Sequence, residues 1–176
     1  MNRKTKRTKK KTEISDKELF HLVKQAPGVK AVRMVSPSDV VTAPWARLKC
    51  QFGCGGYGQC LVCPPFTPMP EQMRAVLDSY KRAILIHFDT EADVKATVAD
   101  LERTIFLRGA WKAFGLGAGP CYFCKECDLE TKECRYPERA RPAMEACGID
   151  VFSTVRNAAC LLRWFGPGNS ARITVG

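Results

Sequence analysis

Cys121-Tyr122-Phe123-Cys124-Lys125-Glu126-Cys127, followed by Cys134-Arg135-Tyr136-Pro137, is the stretch on which the reading of this chain turns. Its pattern, C-x2-C-x2-C-x6-C, puts three thiols on one tight loop with a fourth further on. A structural zinc knuckle uses two separated C-x2–4-C pairs. A close triplet with a remote fourth cysteine is the arrangement that grips a cubane [4Fe–4S] cluster at three corners. Upstream, Cys50, Cys54, Cys60 and Cys63 form a second block, C-x3-C-x5-C-x2-C, closed by Pro64-Pro65. Soft thiolate sets select zinc or iron–sulfur centres. The two histidines, His21 and His87, lie far in sequence from both blocks.

Both blocks fall in long stretches without helical or strand period, about residues 42–68 and 115–141. Loops longer than about 12–15 residues are uncommon in a compact domain unless they are functional or disordered. Each is read as a loop folded around a metal centre, whose binding energy replaces a local hydrophobic core. Gly53, Gly55, Gly56 and Gly58 in the first loop, and Gly115, Gly117 and Gly119 before the second block, suit close backbone wrapping. The eight ligands are Cys50, Cys54, Cys60, Cys63, Cys121, Cys124, Cys127 and Cys134. Their pairing stays open. Each block could hold its own cluster. Alternatively Cys63 could complete the site of Cys121, Cys124 and Cys127, and Cys134 that of Cys50, Cys54 and Cys60, because fourth cysteines cross over in two-cluster ferredoxins. Cys147 and Cys160 read as small buried hydrophobes. Arg135, Arg139 and Arg141 either steady an anionic cluster or dock Glu138 or Glu145 on a solvated face.

Around these loops the chain is regular. Ser15 and Glu18 form a capping box before Leu19, Phe20, Leu22 and Val23, and Pro27-Gly28 ends that helix. Val29–Val35, Ala83–Phe88 and Ala171–Val175 read as strands. Pro70 opens a helix with Met73, Val76, Leu77 and Tyr80 on one face. Thr90 is the expected cap of the longest helix, whose stripe is Val94, Val98, Leu101 and Ile105 and whose end is placed near Phe114-Gly115. Pro142 and Gly148 frame a short helix, and Asp150 caps another with the stripe Val151, Val155, Ala158 and Leu162, broken at Pro167-Gly168. The expected fold is α/β or α+β, a small mixed sheet with helices and two long cysteine-rich metal-binding loops.

The chain has 176 residues, 45% hydrophobic, which fits one folded domain with its own core. No run approaches the ~20 apolar residues of a membrane-spanning helix. No apolar segment follows the N-terminal charges, so a secretory signal is not expected. Ten cysteines permit disulfides, but reducing cytoplasm is the expected location and metal binding the expected use. The net charge of +10 is concentrated in residues 1–12, which carry seven cations and no acid. Residues 1–14 read as a basic disordered tail and 15–176 as the single metal-binding domain. No recognition-helix or stacking pattern accompanies the tail, which argues against nucleic acid as the partner.

The string Cys121 to Cys127, with Cys134-Arg135-Tyr136-Pro137, Arg141-Pro142-Ala143-Met144-Glu145-Ala146 and Gly148-Ile149-Asp150-Val151, resembles a cysteine-rich family known as domain of unknown function 2284. Cys60-Leu61-Val62-Cys63-Pro64-Pro65 fits that family's first block, and the resemblance covers roughly residues 28–160. It implies metal binding at both blocks, in proteins of anaerobic bacteria and archaea, and implies no reaction. The chain has no phosphate loop and no nucleophile motif with a nearby histidine. Gly53-Cys54-Gly55-Gly56-Tyr57-Gly58 matches G-x-G-x-x-G only by letter, since it follows no strand and contains a ligand. The expected function is therefore a non-catalytic iron–sulfur protein with two [4Fe–4S] clusters, an electron carrier or accessory protein serving a redox partner or metalloenzyme. The alternatives are a structural zinc adaptor without redox activity and a thiolate metal carrier.

Overall fold

The computed structural model describes residues 13–158 and the backbone of residues 171–175. Elements follow in the order α1 (Asp16–Lys24), β1 (Val29–Val35), α2 (Pro44–Gly53), α3 (Pro70–Asp78), β2 (Ala83–Phe88), α4 (Val94–Leu107), β3 (Phe114–Gly115), α5 (Val151–Asn157) and β4 (Ala171–Val175). The strands form one sheet in the order β1-β2-β4-β3. The fold is thus mixed helix and strand, in the α+β sense, because every strand pairing is antiparallel.

Strand β2 organises the core. Its side chains alternate between the two faces of the sheet, as the two-residue period requires. Ile84, Ile86 and Phe88 pack with Leu19 and Val23 of α1 and Val94, Val98, Leu101 and Ile105 of α4. Ala83 and Leu85 face the opposite layer, with Met73 and Leu77 of α3, Val151 and Val155 of α5, and Met144, Cys147 and Ile149 between them. A strand buried on both faces carries a continuous apolar run, which is why Ala83–Phe88 is legible as one.

Two helix caps stand where the sequence places them. The Ser15–Glu18 box closes α1, and Asp150 caps α5 by accepting from the Ser153 amide at 3.0 Å. Other expectations need correction. The cap of α4 is Asp93, which accepts from the Ala96 amide at 3.1 Å, rather than Thr90. That helix ends at Leu107, and Phe114-Gly115 is instead an edge strand pairing with β4. Residues 44–53, read as irregular, form α2 with Pro44 in its first turn. Pro142 opens no α-helix; a 3₁₀ turn, Glu145–Cys147, precedes Gly148. At the N-terminus Ile14 is buried and Glu13 pairs with Arg82 at 2.9 Å, so the packed body includes both. The basic run 1–12, Cys160, Leu162 and Pro167-Gly168 lie outside the described residues.

Two short pairings attach the irregular segments to this core. Thr42 bridges to Ile149, with Ala43 donating to the Gly148 carbonyl at 2.7 Å and Asp150 to that of Val41 at 2.8 Å. Gly117 bridges to Ala143, its amide donating to the Pro142 carbonyl at 2.8 Å. Gly148 sits at φ 76°, and a Cβ there would fall 2.5 Å from Pro70 Cγ. Left-handed backbone costs a non-glycine residue about 1–2 kcal/mol, and overpacking adds about 1–3 kcal/mol. Gly148→Ala should therefore lose about 3 kcal/mol of stability in urea denaturation; a loss below ~0.5 kcal/mol would contradict the packing described.

Candidate metal centre

The first cysteine block begins on a helix. Cys50 is half-buried in the last turns of α2, and Cys54 caps that helix in an exposed position. Arg47, one turn before Cys50, anchors α2. Its guanidinium donates to the carbonyls of Thr67, Pro68 and Ala146 at 3.2, 2.8 and 3.0 Å and to the Thr67 hydroxyl at 3.1 Å. Beyond α2 the chain turns tightly. The Gly56 amide donates to Cys54 Sγ at 3.4 Å, and Cys63 donates to the Cys60 carbonyl at 2.9 Å. Cys60 and Cys63 are both buried. The Pro64-Pro65 peptide is cis.

The second block lies in the segment between Gly117 and Arg141, and its four cysteines are half-buried. Aromatic rings screen part of it. Phe123 stacks near Tyr122 and Tyr136, with ring centroids 5.0 and 6.2 Å away, and the Arg139 guanidinium lies 5.1 Å over the Phe123 ring. The Tyr122 hydroxyl donates to Asp93, the cap of α4. None of the arginines after Cys134 pairs with Glu138 or Glu145. Arg135 donates to the Glu126 carbonyl at 3.0 Å, Arg139 stacks, and Arg141 pairs with Glu102 at 2.6 Å.

The blocks meet through Cys60. Its sulfur lies 3.8 Å from Cys127 Sγ, although 67 residues separate the two in sequence. Donation from the Cys63 thiol holds Cys60 well below the ordinary thiol range, against the opposing effect of burial. The amides of Val62 and Cys121 and the Cys127 thiol act in the same direction. Cys63 is pushed strongly upward by the same contact and by burial. Burial also pushes Cys121 up, and the neighbouring Cys60 and Cys124 charges add to it.

A second grouping lies beside the first. Cys50, Cys54 and Cys63 line a cavity of about 180 Å³ with Gly56, Pro120 and Glu145. A Cβ on Gly56 would stand 3.6 Å from Cys54 Sγ and 3.9 Å from Cys63 Sγ, in the space between them. Glycine there leaves that space open, as an all-thiolate site with close backbone requires. Cys124 and Cys134 take no part in the Cys60, Cys63 and Cys127 contacts. Among the described residues no three Cys, His, Asp or Glu side chains are drawn together as they stand to hold a metal ion. Cys147 is buried in the core, near enough to Cys50 that a charge there would push its thiol further up, although burial is the main cause and takes it to about 12.

A family model described as predicted metal-binding protein, domain of unknown function 2284, matches residues 33–175. The chain belongs to this family. The match spans both cysteine blocks and continues through β4, further than the resemblance read from the motifs. No curated protein and no solved structure matches the chain. The chain is therefore a predicted metal-binding protein, and the family description does not distinguish zinc from iron–sulfur. Among the described residues no helix is long and apolar enough to cross a membrane.

Sequence reasoning missed two residues that shape the site, Arg47 and Lys95, and it placed Cys50 in a loop rather than on a helix. Arg47 and Cys50 belong to α2, which Pro44 at a first helical position could have signalled. Lys95 reads as a surface residue of α4, yet it is 1% exposed.

Proposed function

We propose that the protein holds two [4Fe–4S] clusters on its two cysteine blocks and passes single electrons to a protein redox partner or metalloenzyme. One observation carries this reading: Cys60 of the first block stands against Cys121 and Cys127 of the second, while Cys50, Cys54 and Cys63 surround a neighbouring cavity. The grouping differs from both pairings read from the spacing. Cys60, rather than Cys63, crosses to the second block. Under this reading Cys60, Cys121, Cys124 and Cys127 serve one centre. Cys50, Cys54 and Cys63 serve the other, and Cys134 is the remaining ligand.

When bound, such clusters supply reversible one-electron chemistry over a broad range of about −700 to +450 mV. The chain's own residues supply the environment. Backbone amides of Val62 and Cys121 aim at the Cys60 sulfur, the type of hydrogen bond that raises a cluster's potential. Exposed Cys54, in its glycine-rich turn, brings the first centre to the surface. Electrons would enter and leave at the first.

A structural zinc site is the second reading, and one distance favours it. Tetrahedral thiolates with bonds of ~2.3 Å place their sulfurs about 3.8 Å apart, which matches the Cys60–Cys127 separation of 3.8 Å. Metal and sulfide analysis of protein purified without oxygen separates the two. About eight iron atoms with matching sulfide are expected; about two zinc ions without sulfide would overturn the iron–sulfur reading.

A further inference from the structure

Lys95 is a cation placed beneath the cysteine loops. It lies in the first turn of α4 and is 1% exposed. Its ammonium donates to the Arg141 carbonyl at 3.0 Å. It runs under Gly117, where a Cβ would stand 3.5 Å from both Lys95 Cγ and Nζ. Gly117 and Ala143 form the bridge that carries this segment, and Ala143, Gly119 and Pro120 line the cavity of Cys50, Cys54 and Cys63. The ammonium thus lies against the same segment that lines the thiol cavity. Cys63 and Cys121, one from each block, lie within reach of its charge.

Burial of an ammonium is costly, and a fold keeps one where it faces negative charge. A surface cation is screened by salt within a Debye length, whereas a buried one is screened much less. We propose that Lys95 is a positioning residue for the metal centre, supplying the fixed positive charge that sets its reduction potential. The inference rests on the iron–sulfur reading above. On reduction the centre accepts one electron from a low-potential donor, and its net charge becomes one unit more negative. The positive charge of Lys95 favours that more negative form. It also assists retention of an all-thiolate centre, whose charge it opposes.

The test is a redox titration, followed by the visible spectrum, on protein purified without oxygen. Lys95→Met removes the charge at similar length. Lys95→Gln removes the charge but keeps an N–H donor for the Arg141 carbonyl. Lys95→Arg keeps the charge. Lys49→Met removes an exposed lysine beside Cys50 as a control. With iron and sulfide retained, Lys95→Met or Lys95→Gln should shift the one-electron equilibrium against reduction at least tenfold, about 59 mV. Lys95→Arg and Lys49→Met should stay well within that shift. Loss of iron from both neutral variants with retention in Lys95→Arg would equally support the proposal, because charge then governs retention. An unchanged potential in an iron-loaded neutral variant would overturn it. So would the same potential shift or iron loss in Lys95→Arg as in Lys95→Met. Wild-type protein carrying zinc without sulfide would overturn the iron–sulfur reading itself, a result distinct from the others.

Discussion

Cys60→Ser should strip metal from the protein and lower its melting temperature more than any other single cysteine substitution. Cys60 has contacts to both blocks: Cys63 on its own side, and Cys127 and the Cys121 amide on the other. A serine hydroxyl is a poor substitute for a soft thiolate ligand, and it is protonated at neutral pH. Metal binding in such a site is folding free energy, on the order of 10 kcal/mol or more for structural zinc in small peptides. Losing even a third of that would lower Tm by about 10 °C in a chain of this size. The loss should reach both groupings, because Cys60 joins the two loops. Cys54→Ser, at an exposed position on one grouping, should cost less metal. Cys147→Ala should retain all of it and lose only a modest packing contribution, since Cys147 sits in the apolar core with Met144 and Ile149. Plasma-emission metal analysis and thermal denaturation on the three variants decide the matter. Wild-type metal content in Cys60→Ser would refute the placement of that residue at the centre.

The two cysteine blocks were legible because their signal is local: spacing, proline closure and glycine density within one loop. Their grouping was not, because it depends on contacts across 67 residues. The same division runs through the fold. Ser15, Glu18 and Asp150 cap from within three residues, so those helix starts were readable. Helix α2 was not, because its larger apolar residues, Trp45, Leu48 and Phe52, point outward and only Ala46 is buried. A helix whose exposed face is its apolar face defeats a search for a buried stripe. The end of α4 was overshot for a related reason. Phe106 and Leu107 in its last turn and Trp111 beyond it continue the apolar composition but are exposed. Lys95 shows the opposite error: a charged residue next to the stripe reads as surface until tertiary packing places another segment over it.

The pairing of Glu102 with Arg141 governs whether the second cysteine segment is held at all. Arg141 ends that segment, and its Nε and second guanidinium nitrogen reach the two Glu102 oxygens at 2.6 and 2.7 Å. The side chains are 11% and 14% exposed, so the bidentate pair is largely dry. Both partners do further work. Glu102 accepts from the Gly115 amide at 2.8 Å, and Arg141 donates to the carbonyls of Pro137 and Ala140 at 2.9 Å each. Removing one member leaves the other charge buried without its partner, which costs about 3–5 kcal/mol. Glu102→Ala and Arg141→Ala should each lose about 4 kcal/mol in urea denaturation. The double variant Glu102→Leu with Arg141→Met should lose much less than the two together, because a pair of apolar side chains leaves no stranded charge. High salt should not reproduce the loss, since a dry pair is screened far less than an exposed one. The segment's position above α4 also depends on this pair, because the Arg141 carbonyl is the acceptor for Lys95. Metal content should therefore fall in the single variants and recover in the apolar double variant. Single variants within ~1 kcal/mol of wild type would show that the segment is held by its sulfur centre alone, with the ion pair a passenger.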